Sequence, residues 1–275
     1  MRGSDPHVSP ATASDEAARC PPSSSKAETV TLSLASPRPQ SADEMTLGAL
    51  RHEIDLLDDQ MLALFQRRLA LADRVGRAKD APSGAHLPLR PDREAAVLAR
   101  MTAGARPDQV RAVEGLWREI VGWGLARQTE TQVRVWAPDG SGRAVDAARR
   151  RFGQAATLIE SPDAEAALAF AAEGKGVAVL ALQADHPWWL GLRSDWSDLR
   201  VFDGCGRSAP RALAVGRIDP ASLAPGRRVT VSSGGADFGP GAGRWGLATH
   251  RGWTLSLVDA AVPMERIDGL VGTLD

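Results

Sequence analysis

LGALRHEIDLLDDQMLALFQRRLALADRVGRAK, residues 47–79, is the stretch from which the rest of the chain is read. Leu47, Leu50, Ile54, Leu57, Met61 and Leu64 recur at alternating steps of three and four, the apolar stripe of a helix packed in a bundle. Ser41 or Thr46 stands ahead of it as a candidate N-cap, and Asp80-Ala81-Pro82-Ser83-Gly84 breaks it. The pattern predicts one long helix. A second is expected from Asp92 to about Thr102, burying Ala96, Val97 and Met101 and ended by Gly104 and Pro107. A third is expected from about Pro107 to Thr129, with Val110, Val113, Trp117 and Ile120 on its stripe. Three helices, one of them very long, do not make a self-sufficient core.

On either side the texture changes. Residues 1–44 are dominated by Ser, Pro, Ala, Thr and Asp without a hydrophobic period, which predicts a disordered tail. After Thr129, short β-branched runs alternate with alanine-rich segments. VRVWAP (133–138) leads into a helix ending at Phe152, TLIES (157–161) into DAEAALAFAAEG (163–174), and GVAVLAL, LRVF, RALAVGRI, RVTVSS and WTLSLVDA follow. That alternation predicts an α/β domain over residues 131–275 with a mostly parallel sheet, behind a helical domain at 45–129.

Charge and composition exclude several functions. The 275 residues carry 33 Lys+Arg against 34 Asp+Glu, so there is no global basic footprint for nucleic acid or anionic lipid, and any anion site must be local. Cys20 and Cys205 form no framework or metal spacing, and His7, His52, His86, His186 and His250 are scattered, so no metal site is expected. No apolar run approaches the ~20 residues needed to cross a bilayer, and no signal-peptide core follows Arg2, so a cytoplasmic protein is expected. Gly241-x-Gly243-x-x-Gly246 has the spacing of a dinucleotide fingerprint but no strand runs directly into it, so it reads as a flexible connection. Trp188, Trp189 and Trp196 are expected to pack a core or an interface.

The informative feature is a pair of cations on the apolar stripe of the first helix. Continuing its register past Leu64 lands on Arg68, and Lys79, eleven residues on, lies only about 20° around the axis from it. Inward cations suggest an anionic ligand, the plainer alternative being structural salt bridges with Glu94 or Glu119. Gln128, at the end of the third stripe, adds an inward amide donor. Arg51 lies seventeen residues before Arg68, about 25 Å along the axis, too far for both to hold one small ligand from the same helix. Either it is a surface arginine beside Glu53 or Asp55, or it serves a site on another chain. Arg93-Glu94 supplies another cation and a carboxylate in a first helical turn.

Together with LRPDREAAVLARM (89–101) and VRAVEGLWREIVGWGLARQ (110–128), the opening stretch resembles the all-α chorismate mutase domain over about eighty residues. The resemblance implies a homodimer of intertwined three-helix chains and rearrangement of chorismate to prephenate, a step toward phenylalanine and tyrosine, with no metal or redox cofactor. It implies that Arg51 of the partner chain and Arg68 bind the two carboxylates, since guanidinium forks match carboxylates. It further implies that Lys79 and Gln128 donate to the ether oxygen, that Glu94 accepts from the ring hydroxyl, and that Arg93 completes the electropositive pocket. Arg90 departs from the family, whose members often carry an acid three residues before Arg93.

VRVWAPDGSGRAVDAARRRFG (133–153) resembles the opening of a prephenate dehydratase domain, which often follows the mutase in bifunctional enzymes. Further on the likeness decays: Gln183-Ala184-Asp185 stands where that family has Glu-Asn-Ser, and Pro210-Arg211-Ala212 where it has Thr-Arg-Phe with the catalytic hydroxyl. A degenerate domain is expected. Two other readings stand beside the mutase: a bifunctional mutase and dehydratase, and a non-catalytic dimeric ligand-sensing scaffold.

Overall fold

The computed structural model describes residues 46–78, 86–138, 142–183, 185–205, 210–233, 243–263 and 268–274. The expected tail at 1–44, the Ser41 cap, Lys79 and the breaker at 80–84 lie outside the described residues, as do Asp139, Ala184 and Gly241.

The first helix, α1 (Leu47–Ala78), begins where the sequence places it: the Thr46 Oγ1 accepts the Ala49 N–H at 3.3 Å, occupying one of the orphan donors of the first turn. α2 (Pro91–Ala103) starts with a proline whose missing N–H costs nothing there, with Asp92 and Glu94 facing the positive end of the helix dipole. α3 (Val110–Ala126) packs along α2 and runs almost directly into the first strand.

That strand, β1 (Gln132–Trp136), opens a β–α–β–α–β unit with α4 (Gly142–Phe152), β2 (Thr157–Glu160), α5 (Ala164–Ala172) and β3 (Gly176–Ala181). β1 pairs in parallel with β2 on one side and β3 on the other. The two crossovers run in opposite directions along the sheet, so α4 and α5 cover opposite faces. Ala144, Ala147, Ala148 and Phe152 of α4 pack on Val133, Val135, Val177 and Val179, whereas Ala164, Ala167, Leu168 and Ala171 of α5 pack on Ala178 and Leu180. β3, covered on both faces, has all six residues buried, which explains its unbroken apolar run.

The remaining strands correct the expectation of a mostly parallel sheet. β4 (Arg200–Cys205), β5 (Ala212–Gly216), β6 (Arg227–Ser233), β7 (Arg244–His250), β8 (Trp253–Val258) and β9 (Leu270–Leu274) extend it to nine strands in the order β2-β1-β3-β5-β4-β9-β6-β8-β7. β3–β5, β4–β5, β6–β8, β6–β9 and β7–β8 are antiparallel, and of the added pairs β4–β9 alone is parallel. The connections explain the difference. Parallel neighbours need a crossover of a dozen residues or more, and the links from β4 to β5 and from β7 to β8 are too short for one. Gly246 lies inside β7, so the glycine-rich segment leads into a strand and not from a strand into a helix. Trp188 and Trp189 are buried and Trp196 packs against them as core, with the Trp188 Nε1 donating to the Ala181 carbonyl at 2.8 Å.

The apolar stripe of α1 is open in the single chain: Leu47, Leu50, Ile54, Leu57, Met61 and Leu64 are each 44–62% exposed, and Ala72 is the buried residue of this helix. Nothing within this chain covers that face among the described residues.

The two halves of the sheet join where Val201 of β4 meets Gly272 of β9. A Cβ on Gly272 would sit 1.9 Å from the Val201 carbonyl oxygen, closer than any side chain tolerates. Gly272→Ala is therefore expected to lower unfolding stability by about 1–3 kcal/mol or more, read from denaturant midpoints. A midpoint equal to that of the unchanged chain would contradict this seam.

Candidate active site

The helical part is held together at its α1–α3 contact by small residues. A Cβ on Gly76 would lie 3.2 Å from the Gln128 Cα, and one on Gly124 would lie 2.9 Å from the Arg68 Nη1 and 3.9 Å from the Ala72 Cβ. Glycine at these two places lets the helix backbones approach. Beside them Asp73 and Arg127 form a two-pronged pair, Nε to Oδ1 at 2.8 Å and Nη2 to Oδ2 at 3.0 Å, and Arg127 holds the Asp73 carboxyl below its usual range. Sequence reading missed this clamp. The signal was there in Arg127 standing next to Gln128, but the pairing needs the helix crossing to be known.

Arg68 is half-buried, and its Nη1 donates to the Ile120 carbonyl at 2.7 Å. Burial lowers its pKa from the ordinary value, the sign of a cation partly stripped of water. The salt bridges proposed for it as the plainer alternative are not formed: Glu119 accepts the Gln154 N–H at 3.0 Å, and Glu94 pairs with Arg151. Among the described residues no carboxylate lies within ion-pair reach of Arg68. Gln128 is half-buried one turn beyond Gly124, its Nε2 donating to the Gly124 carbonyl at 3.0 Å. Gly124 thus lies against both predicted donors, and the structure brings Arg68 and Gln128 to the same glycine.

No described contact joins the other predicted residues to this pair. Arg51 and Arg93 are exposed, and Lys79 lies outside the described residues. Glu94 Oε2 is 2.9 Å from the Arg151 Nη2 of the α/β part, on a different side of α3 from Arg68. Arg90, the departure noted in the sequence, is matched by Asp92 in the first turn of α2, its Nη2 2.6 Å from the Asp92 Oδ2. Cys205 is buried and its thiol is pushed up to about 12 by burial, which leaves it unsuited to act as a nucleophile. No group of three or more metal-ligating side chains occurs among the described residues.

A half-buried cation without a carboxylate partner among the described residues, next to an amide, has the chemistry to meet a small organic anion. Comparison with known proteins is consistent with that chemistry. A bifunctional chorismate mutase/prephenate dehydratase of Pseudomonas aeruginosa is 36% identical over 125 residues, covering 44% of this chain and 33% of the relative. The chain thus matches about a third of the length of that relative. No solved structure matches. Residues 50–129, the segment holding Arg51, Arg68, Lys79, Arg93, Glu94 and Gln128, match the family described as Chorismate mutase type II.

Proposed function

We propose that the helical part of this protein rearranges chorismate to prephenate, serving phenylalanine and tyrosine biosynthesis in the cytoplasm. The observation that carries the reading is Arg68: a half-buried guanidinium without a carboxylate partner among the described residues, beside the same glycine as Gln128 and within the segment that matches the family. A substrate with two carboxylates supplies the missing counter-charge. The reaction forms and breaks bonds within one molecule, so the protein has to hold the side chain over the ring and place donors where negative charge builds on the ether oxygen. Arg68 and the partner's Arg51 bind the carboxylates, Lys79 and Gln128 donate to the ether oxygen, Glu94 accepts from the ring hydroxyl, and Arg93 adds positive potential.

The partner is a second copy of this chain. The exposed stripe from Leu47 to Leu64 supports this, because a row of half-exposed leucines on one helix is a surface that another apolar helix covers at a gain of about 25 cal/mol per Å². A twin presents the same stripe and brings Arg51 to a site whose Arg68 lies about 25 Å away on its own helix. No described helix is long and apolar enough to cross a membrane.

A bifunctional mutase and dehydratase is the second reading, favoured by what the Pseudomonas relative is called. Against it stands Pro210, which cannot supply a hydroxyl ahead of β5 where the dehydratase resemblance requires one. A non-catalytic scaffold gives no reason to keep Arg68 half-buried without a carboxylate partner among the described residues.

Lys79→Ala is expected to lower the rate of chorismate loss by on the order of 10²–10³-fold while leaving helical content and dimer mass intact. Near-normal turnover would refute the assignment. Mixing Arg51→Ala and Arg68→Ala chains should restore activity in roughly a quarter of sites, because each mixed dimer rebuilds one complete site. Verified mixed dimers without activity would rule out a site shared between chains. The pH profile offers a third check. An amide donates at any pH, so turnover should persist above neutrality, and a collapse there would assign the donor role to a titrating acid instead of Gln128.

A further inference from the structure

The helical and α/β parts meet at a buried ion cluster that the proposed reaction does not explain. Arg151, in the last turn of α4, has a side chain only 10% exposed. Its Nη2 lies 2.9 Å from the Glu94 Oε2 of α2, and its Nε donates to the Asp203 Oδ2 of β4. Behind Asp203 stands Arg118 of α3, 3.8 Å away, which also reaches Glu114 at 3.5 Å. The Arg151 guanidinium lies over the Phe152 ring, 5.0 Å from its centroid. Burial works against its charge, but Asp203 and then Glu94 outweigh burial and raise its pKa above the ordinary value.

Glu94 and Arg68 approach α3 from different sides. Arg68 lies against Ile120 and Gly124, whereas Glu94 shares a small cavity with Val121, Gly122, Leu125, Arg151 and Phe152. Leu125 is about 100° around the helix from Gly124. The carboxylate that the proposed reaction needs at the ring hydroxyl is therefore held by a cation of the α/β part.

We propose that Arg151 sets the affinity of the helical site for its substrate by competing with the substrate's ring hydroxyl for Glu94. The inference rests on the chorismate reading above and adds to it a positioning residue, one that acts through Glu94 without touching the substrate. The cluster is arranged so that this exchange strands no charge. Arg151 is shared between two carboxylates, so when Glu94 turns to the substrate Arg151 keeps Asp203, with Arg118 behind it. Glu94, at 20% side-chain exposure, is also the least buried member of the pair-and-bridge, against 10% for Arg151 and 13% for Asp203, and so is the one that leaves most readily. Breaking a buried pair is severe when a partner is left alone, and here none is.

The test is the steady-state kinetics of chorismate loss by the full chain. Arg151→Gln should lower KM by on the order of fivefold with kcat little changed, because one competitor for Glu94 is gone. Arg151→Lys keeps a charge beside Asp203 but cannot span both carboxylates with a planar fork, and should lower KM in the same direction. If Arg151→Gln does not fold, as judged by circular dichroism, Arg151→Lys decides. In a Glu94→Gln background the Arg151 substitutions should no longer change KM, which a merely structural role would not predict. An unchanged or raised KM in the folded variants, or the same KM drop without Glu94, overturns the proposal while leaving the mutase reading intact. If the unsubstituted chain does not consume chorismate, both fall together.

Discussion

Close approach of α1 to α3 is the constraint from which the site follows. Gly76 and Gly124 remove the side chains that would hold the helices apart, and the Asp73–Arg127 pair fixes their register. The missing Cβ of Gly124 leaves the space that the Arg68 guanidinium occupies, and its Nη1 donates to the Ile120 carbonyl. A neutral oxygen satisfies a donor but does not cancel a charge. Helix packing thus places the Arg68 charge beside Gly124, and Gln128, one turn past the same glycine, adds a donor that carries no charge of its own.

The chain combines a part that closes on itself with one that does not. In the α/β part, α4 and α5 cover opposite faces of β1 and β3, and residues such as Val133, Val177, Leu180 and Leu213 have no exposure at all. In the helical part, α1 lays most of its stripe open while its last turns grip α3. At 32 residues α1 is far longer than α3, at 17, so α3 can cover only a fraction of it. The surplus apolar length is where a second copy fits the physics.

Much of this could be read from residues alone. Steps of three and four from Leu47 to Leu64 gave α1, Asp163 ahead of an alanine run gave α5 with its side chain accepting the Ala166 N–H at 2.6 Å, and the unbroken GVAVLA gave the central strand. The register from Leu64 to Arg68 gave the inward cation. What escaped was set by distant contacts. β7 and β9 are interrupted by Gly246 and Gly272 and contribute polar residues, so neither stands out as a strand. Strand direction beyond β3 depended on connection lengths and not on the strands themselves. Glu94 beside Arg93 reads as ordinary charge at a helix start, and nothing local announces that Arg151, 57 positions later, would take it.

The most direct test is to add the purified full chain to chorismate, follow the loss of chorismate absorbance, and assay the same tube for phenylpyruvate. Chorismate consumed in proportion to protein, with prephenate accumulating and no phenylpyruvate, is the result that a mutase with a degenerate α/β part predicts. Phenylpyruvate would contradict the degenerate reading of residues 131–275, and no loss of chorismate from folded protein would contradict the account as a whole.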